Sequence, residues 1–247
     1  PTLPDRATWL LLPYLLAYRL GALPGSEITH ASTTQLLGLD GRWCDQAFEI
    51  AGWPVPERQP SLPGALVGRA AERVAIARVA GHDSASAICG LGSLREEQAF
   101  LNVGTWSILG TVLDEPLTGA TAFAANFSNE RAADGRVRFL KNIPGFYIIN
   151  RLHEELQVSD PVPEWLARAD RSIPQRIDVL DEGFFNPESM VQAVKERIDG
   201  VPATREAWAG LALMSLAETT AAQLRELERV TGRKFNQIRA SGGGSAS

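Results

Sequence analysis

The segment that most constrains the fold begins with a run of small and β-branched residues at 74–80. It stops at Gly81-His82-Asp83 and passes at once into Ser84-Ala85-Ser86-Ala87-Ile88. The first part suits a β-strand, the glycine a tight turn, and the last part the opening of a helix. Where strand, turn and helix follow one another in an open sheet, the carboxyl end of the strand faces the crevice that receives ligands. Such a chain is expected to be of α/β or α+β class, with Asp83 near a ligand.

The flanking elements agree with a mixed fold. Pro13 opens a short apolar helix over 13–20 that ends before Gly21, and this helix is expected to be buried. Residues 26–64 carry Pro54, Pro56, Pro60 and Pro63 and read as short helices alternating with loops. Two strands are predicted at 99–103 and 106–113 around Gly104-Thr105, and two more at 121–128 and 136–140, joined by a loop with Asp134-Gly135. Asn142-Ile143-Pro144 is expected to open a helix reaching residue 156, with Asn142 near the cap and Pro144 in the first turn. Further helices are predicted at 163–169, 187–198 and 204–230. In the last, Trp208, Leu211, Met214, Leu224 and Leu227 recur at helical spacing and Gly232 is a stop signal. A strand over 235–240 then runs into Gly242-Gly243-Gly244. The pattern changes near residue 95, which suggests one domain over 1–94 and another over 95–247.

Composition removes several function classes. Of 247 residues, 45% are hydrophobic, enough for one large core or two small ones. Lys and Arg number 24 against 29 Asp and Glu, a net charge of −5 that argues against a phosphate-backbone face. Nucleic acid is therefore not an expected partner. Cys44 and Cys89 form no C-x-x-C pair, and His30, His82 and His153 lie far apart. Neither a disulfide framework nor a structural zinc is expected, and a reducing cytoplasm fits best. The apolar stretch 9–20, broken by Pro13, Tyr14, Tyr18 and Arg19, is too short and polar for a membrane span and lacks a signal peptide's basic flank. The sequon Asn126-Phe127-Ser128 is read as chance. No Gly-x-x-x-x-Gly-Lys loop or Gly-x-Ser-x-Gly elbow occurs.

Four places carry candidate chemistry, each with a plainer reading beside it. Asp83, at a strand end, is able to take a proton from a bound hydroxyl attacking phosphorus, or simply to cap the following helix. Gly104-Thr105-Trp106-Ser107 offers donors to phosphate oxygens, or is an ordinary hairpin connection. Gly242-Gly243-Gly244 lets backbone approach a ligand closely, or is a flexible tail. Asn142 is a ligand contact or a helix cap. A hydrolase that joins His82 to Asp83 is disfavoured, because adjacent residues rarely aim at one nucleophile.

The order of these segments resembles the FGGY family of carbohydrate kinases. Residues 10–20, Ala31-Ser32-Thr33-Thr34-Gln35-Leu36, residues 79–87 and Val103-Gly104-Thr105-Trp106-Ser107 are similar to that family's motifs, in its order. Three stretches, at 124–130, 139–145 and 185–190, resemble its rhamnulokinase branch.

The resemblance implies an actin/hexokinase-like, ribonuclease-H-type fold of two domains and ATP-dependent phosphorylation of a ketose, L-rhamnulose, at its C1 hydroxyl. Another sugar such as fuculose or xylulose, or a non-catalytic binding role, are the alternatives. It places Asp83 on the catalytic base, His82 and Ser84 on ketose contacts, and Thr105, Asn142, Asn150 and Gly243 on nucleotide contacts. Asn150 stands where rhamnulokinases tend to have Gln, and Ser84 where Thr is frequent. ATP and Mg²⁺ are the implied ligands. The family's N-terminal phosphate loop, which helps hold Mg²⁺, is not among these residues. The two ends read as the interior of a longer protein, and without that loop these 247 residues alone are not expected to turn over ATP.

Overall fold

In the computed structural model, which describes residues 9–246, the chain begins with α1 (Leu12–Arg19), α2 (Ile28–Ala31), α3 (Asp45–Ala51), β1 (Leu66–Ala70) and β2 (Val74–Ala77). There follow α4 (Asp83–Gly90), β3 (Gln98–Val103), β4 (Trp106–Leu113), α5 (Ala120–Ala124), β5 (Ser128–Arg131) and β6 (Val137–Pro144). The remainder is α6 (Phe146–Glu155), α7 (Val162–Ala167), α8 (Met190–Lys195), α9 (Arg205–Thr231) and β7 (Gln237–Ser241). β1 and β2 pair antiparallel, and the other strands form one sheet in the order β5-β6-β4-β3-β7. The chain divides into two compact units. One is Pro1–Leu94 with Val112–Gly119 and Ser128–Phe139; the other is Arg95–Thr111 with Ala120–Phe127 and Leu140–Ser247.

In the first unit an aromatic cluster sets the path of the turn-rich segment. Trp43 and Phe48 are buried, and their rings meet edge-on at 5.4 Å, with Trp9 edge-on to Trp43 at 5.7 Å. Edge-to-face contact is the arrangement aromatic quadrupoles favour. The indole N–H of Trp43 donates to the Arg58 carbonyl at 2.9 Å, so burying the ring strands no donor. Arg78, just past β2, is also buried. Its guanidinium donates to the carbonyls of Ser26 and Leu23 and to the Ser61 hydroxyl. That fastens the end of β2 to the loop before α2.

The second unit is built on α9. Thr204 accepts from the Ala207 N–H at 3.1 Å as its N-cap, and Gly232 ends the helix at φ 69°, the left-handed conformation glycine adopts freely. Trp208, Leu211 and Leu216 on this helix pack with Ile148, Ile149 and Leu152 of α6 and Trp165 of α7. Burying such side chains contributes about 1.5–3 kcal/mol each. β3 and β4 are an antiparallel hairpin, and β7 joins β3 in parallel register from Gln98↔Gln237 to Asn102↔Ser241.

Several expectations need correction. The helix at 13–20 exists as α1, but only Tyr14 is buried; Leu12, Leu16 and Leu20 are 68%, 60% and 62% exposed. The run is apolar on all sides, whereas α1 is packed through one edge. The strand predicted at 121–128 is instead α5, followed by a break at Asn126, whose φ of 57° is left-handed, and β5 begins only at Ser128. Alanine-rich sequence prefers the helix once Gly119 has turned the chain. Asn142 and Pro144 cap no helix: both lie in β6, which outruns the predicted 136–140, and α6 starts at Phe146 with Gly145 as its N-cap. Pro144 is the last residue of that strand. The helix at 187–198 shrinks to α8, capped by Ser189. β2 ends at Ala77, and its partner β1 was not read from the sequence. Among the described residues no helix is long and apolar enough to cross a membrane.

Candidate active site

The turn that carries Asp83 is held from below by a carboxylate. Glu27 is fully buried and, as the N-cap of α2, accepts the Thr29 N–H on Oε1 at 2.8 Å. Its Oε2 accepts from the Thr29 hydroxyl at 2.6 Å, the Tyr14 hydroxyl at 3.2 Å and the Gly81 N–H at 2.9 Å. The Thr29 oxygen also lies 3.4 Å from the His82 N–H. Burial, then the Glu27 charge and hydrogen bond, push the Tyr14 phenol well above its ordinary range, so it stays a donor. Gly81 is required here, because a Cβ would overlap the Tyr14 hydroxyl.

On this base sit the three predicted ketose residues. Asp83 opens α4 with its side chain 99% exposed, and Oδ1 accepts the Ser84 N–H at 2.6 Å. The Ser84 hydroxyl lies 2.8 Å from His82 Nδ1, and that imidazole nitrogen is 3.9 Å from Asp83 Oδ1. Asp83 is not the cap of this helix: His82 is its N-cap and Asp83 its first residue, with Oδ1 on the adjacent Ser84 N–H and Oδ2 in none of these contacts. Ser84 is buried, so its hydroxyl orients His82 from within.

His30 stands behind His82, with ring centroids 6.1 Å apart, and its Nδ1 is buried with no protein partner. Burial first, then the His82 charge, hold its pKa below the ordinary 6.5 against the opposing pull of Glu27 and Asp83. A histidine with a lowered folded pKa binds fewer protons than the unfolded chain. Stability should therefore fall as pH drops through 6.5, the unfolded imidazole's midpoint. His30→Asn should flatten that part of the stability–pH curve, measured by urea unfolding at a series of pH values. A slope unchanged in the variant would remove His30 as its source.

In the second unit Thr105 is exposed at the hairpin turn between β3 and β4. Its carbonyl accepts from the N–H groups of Gly145 and Tyr147, and the Gly104 carbonyl from Phe146, so the turn is locked to the first turn of α6. Asn142 and Asn150 are exposed, one in β6 and the other in α6. Gly243 begins a 3-10 turn after β7. Gly242 before it has φ 90° and lies against the Val103 backbone, where a Cβ would clash. The glycines and Thr105 thus lie at the same end of β3. Trp106 stacks on Tyr147 at 6.3 Å and 8°.

Residues 99–247 match the family model for the C-terminal domain of FGGY carbohydrate kinases. The chain belongs to the FGGY family. Proteins named rhamnulokinase from Yersinia pestis (strain Pestoides F) and Yersinia pseudotuberculosis are 35% identical to this FGGY chain over 254 aligned positions, 98% of it and 52% of each relative. The chain spans about half the length of the curated relatives it matches. The ligand-bound xylulose kinase from Lactobacillus acidophilus is a structural neighbour with a TM-score of 0.65, 16% identity and coverage of 95% of this chain and 50% of that one. A glycerol kinase from Plasmodium falciparum, solved with ADP, matches with a TM-score of 0.66, 16% identity and 95% and 50% coverage. The fold is the actin/hexokinase-like α/β fold of FGGY sugar kinases.

Glu27, Tyr14, Thr29 and His30 were not singled out by sequence reasoning. One signal was available: Glu27 is the sole Asp, Glu, Lys or Arg between Arg19 and Asp40. A lone charge in a near-neutral stretch is either a surface residue or a buried one with a task.

Proposed function

We propose that the full-length protein containing this chain transfers the γ-phosphoryl group of ATP to the C1 hydroxyl of a ketose, L-rhamnulose. The observation that carries the reading is the Asp83 carboxylate, exposed at the start of α4 beside the turn that Glu27 holds and flanked by the His82–Ser84 pair. Relatives named rhamnulokinase, matched over 98% of the chain, support the choice of sugar. In the reaction the C1 hydroxyl gives its proton to Asp83 as its oxygen bonds to the γ-phosphorus. The bond from that phosphorus to the β,γ-bridging oxygen breaks and ADP leaves. His82 and Ser84 orient the sugar, while Thr105, Asn142, Asn150 and Gly243 contact the nucleotide.

Magnesium is the metal this reaction class uses, bound through phosphates, waters and one or two carboxylates. Among the described residues no group of three or more His, Cys, Asp and Glu is placed to hold a metal ion. The described residues thus form no all-protein metal cage, and no step is assigned to a metal.

A panel of L-rhamnulose, L-fuculose, D-xylulose and glycerol, each with ATP and magnesium, tests the reading in a coupled ADP-release assay on the full-length gene product. L-Rhamnulose should give the highest kcat/KM. A higher value for another sugar would reassign the substrate within the family, and turnover with none would overturn the kinase reading.

A further inference from the structure

We infer that Glu27 is a positioning residue for the reaction, acting through the Gly81-His82 backbone to set where the Asp83 carboxylate stands; this rests on the reading of Asp83 as the base. The carboxylate ties together three stretches far apart in sequence: Tyr14 on α1, Thr29 on α2, and Gly81 at the turn. All four groups it meets are donors: two backbone N–H groups and two hydroxyls. A carboxylate is acceptor-only and suits such a ring of donors, whereas an amide of the same shape would turn an NH₂ toward one of them.

The location argues against a purely architectural use. Burying a carboxylate is costly, and well-packed apolar residues usually stabilise a core as well or better. Here the charge is spent directly beneath the turn that projects Asp83 outward. Donation from Gly81 to Oε2 fixes the plane of the peptide entering the turn, and the Thr29 oxygen meets the next N–H, that of His82. No side chain fits at Gly81 to take over this function, because the Tyr14 hydroxyl occupies the space. Asp83 itself, almost wholly exposed, has few contacts of its own to define its direction, so its aim depends on the backbone below it.

Steady-state kinetics on the full-length gene product, with ATP, magnesium and the best sugar of the panel, tests the inference. Glu27→Gln should lower kcat by about 10²-fold, the scale at which a displacement near 1 Å degrades a reacting geometry. The KM for ATP should be unchanged. Thr29→Val should lower kcat in the same way, and Thr29→Ser, which keeps the hydroxyl, should restore it. In an Asp83→Asn background, Glu27→Gln should add little further loss, because the group it aims is gone. Should Glu27→Gln fail to fold, Thr29→Val and Tyr14→Phe decide the matter by the same kcat measurement. Unchanged kcat in the folded variants beside an inactive Asp83→Asn enzyme would overturn the positioning role alone. A loss that multiplies fully with that of Asp83→Asn would do so too. An Asp83→Asn enzyme with normal turnover would instead overturn the assignment of the base.

Discussion

Asp83→Asn in the full-length gene product is expected to lower turnover by about 10²–10⁴-fold, the scale of losing a general base. Sugar affinity, measured by calorimetry, should remain nearly intact. The substitution suits the local structure. Asn retains the carbonyl oxygen that accepts the Ser84 N–H. The side chain is 99% exposed, so no buried contact is lost, and the folded fraction should match that of the parent. A loss of activity in a protein that still binds sugar would place the defect in the chemical step. Wild-type turnover by this variant would exclude Asp83 from the mechanism.

The second large effect concerns stability. Arg138 in β6 is fully buried and donates from Nη2 to Glu130 Oε2 of β5 at 2.6 Å, with Nε 3.4 Å from the Arg131 carbonyl. Burial lowers the Arg138 pKa, Glu130 opposes that shift, and the pair is the principal compensation for an interior charge. Glu130→Ala leaves the guanidinium without its carboxylate and should cost about 3–5 kcal/mol, read from the urea midpoint. The double variant Glu130→Leu/Arg138→Met removes the charge with its partner and should recover most of that loss. A Glu130→Ala cost below about 1 kcal/mol would mean that the pair contributes little, as exposed ion pairs do.

This pair also bears on what the sequence disclosed. Glu130 stands in one of the stretches that pointed to the rhamnulokinase branch, and in the structure it balances a buried charge, a role no periodicity signals. Helices with both ends marked were legible: α9 has Thr204 and Gly232 in place, and Trp208 and Leu211 face the core as their spacing predicts. The β3–β4 hairpin around Gly104-Thr105 was legible for the same reason, with a glycine turn between two apolar runs. Errors gathered where local signals were ambiguous. Asn142 and Pro144 offer both a helix opening and a strand end, and pairing within the sheet decided for the strand. Of the candidate site, Asp83 was visible because strand, glycine and helix surround it. Glu27 was not, since its partners Tyr14, Thr29 and Gly81 meet only after folding.

The register of β7 has a consequence for how the protein is made. Gln98 and Gln237, paired at the start of β3 and β7, are 139 residues apart in the chain. One edge of β3 is satisfied almost as soon as β4 leaves the ribosome, yet the other must wait for α9 and β7. At about 5–20 residues per second this is a delay of roughly seven to thirty seconds. During that time a strand containing Phe100 and Leu101 exposes an unpaired edge, the kind of surface that recruits strands from other nascent chains. Synthesis rate and chaperone supply should therefore govern the soluble yield of this protein more than the equilibrium strength of its finished sheet.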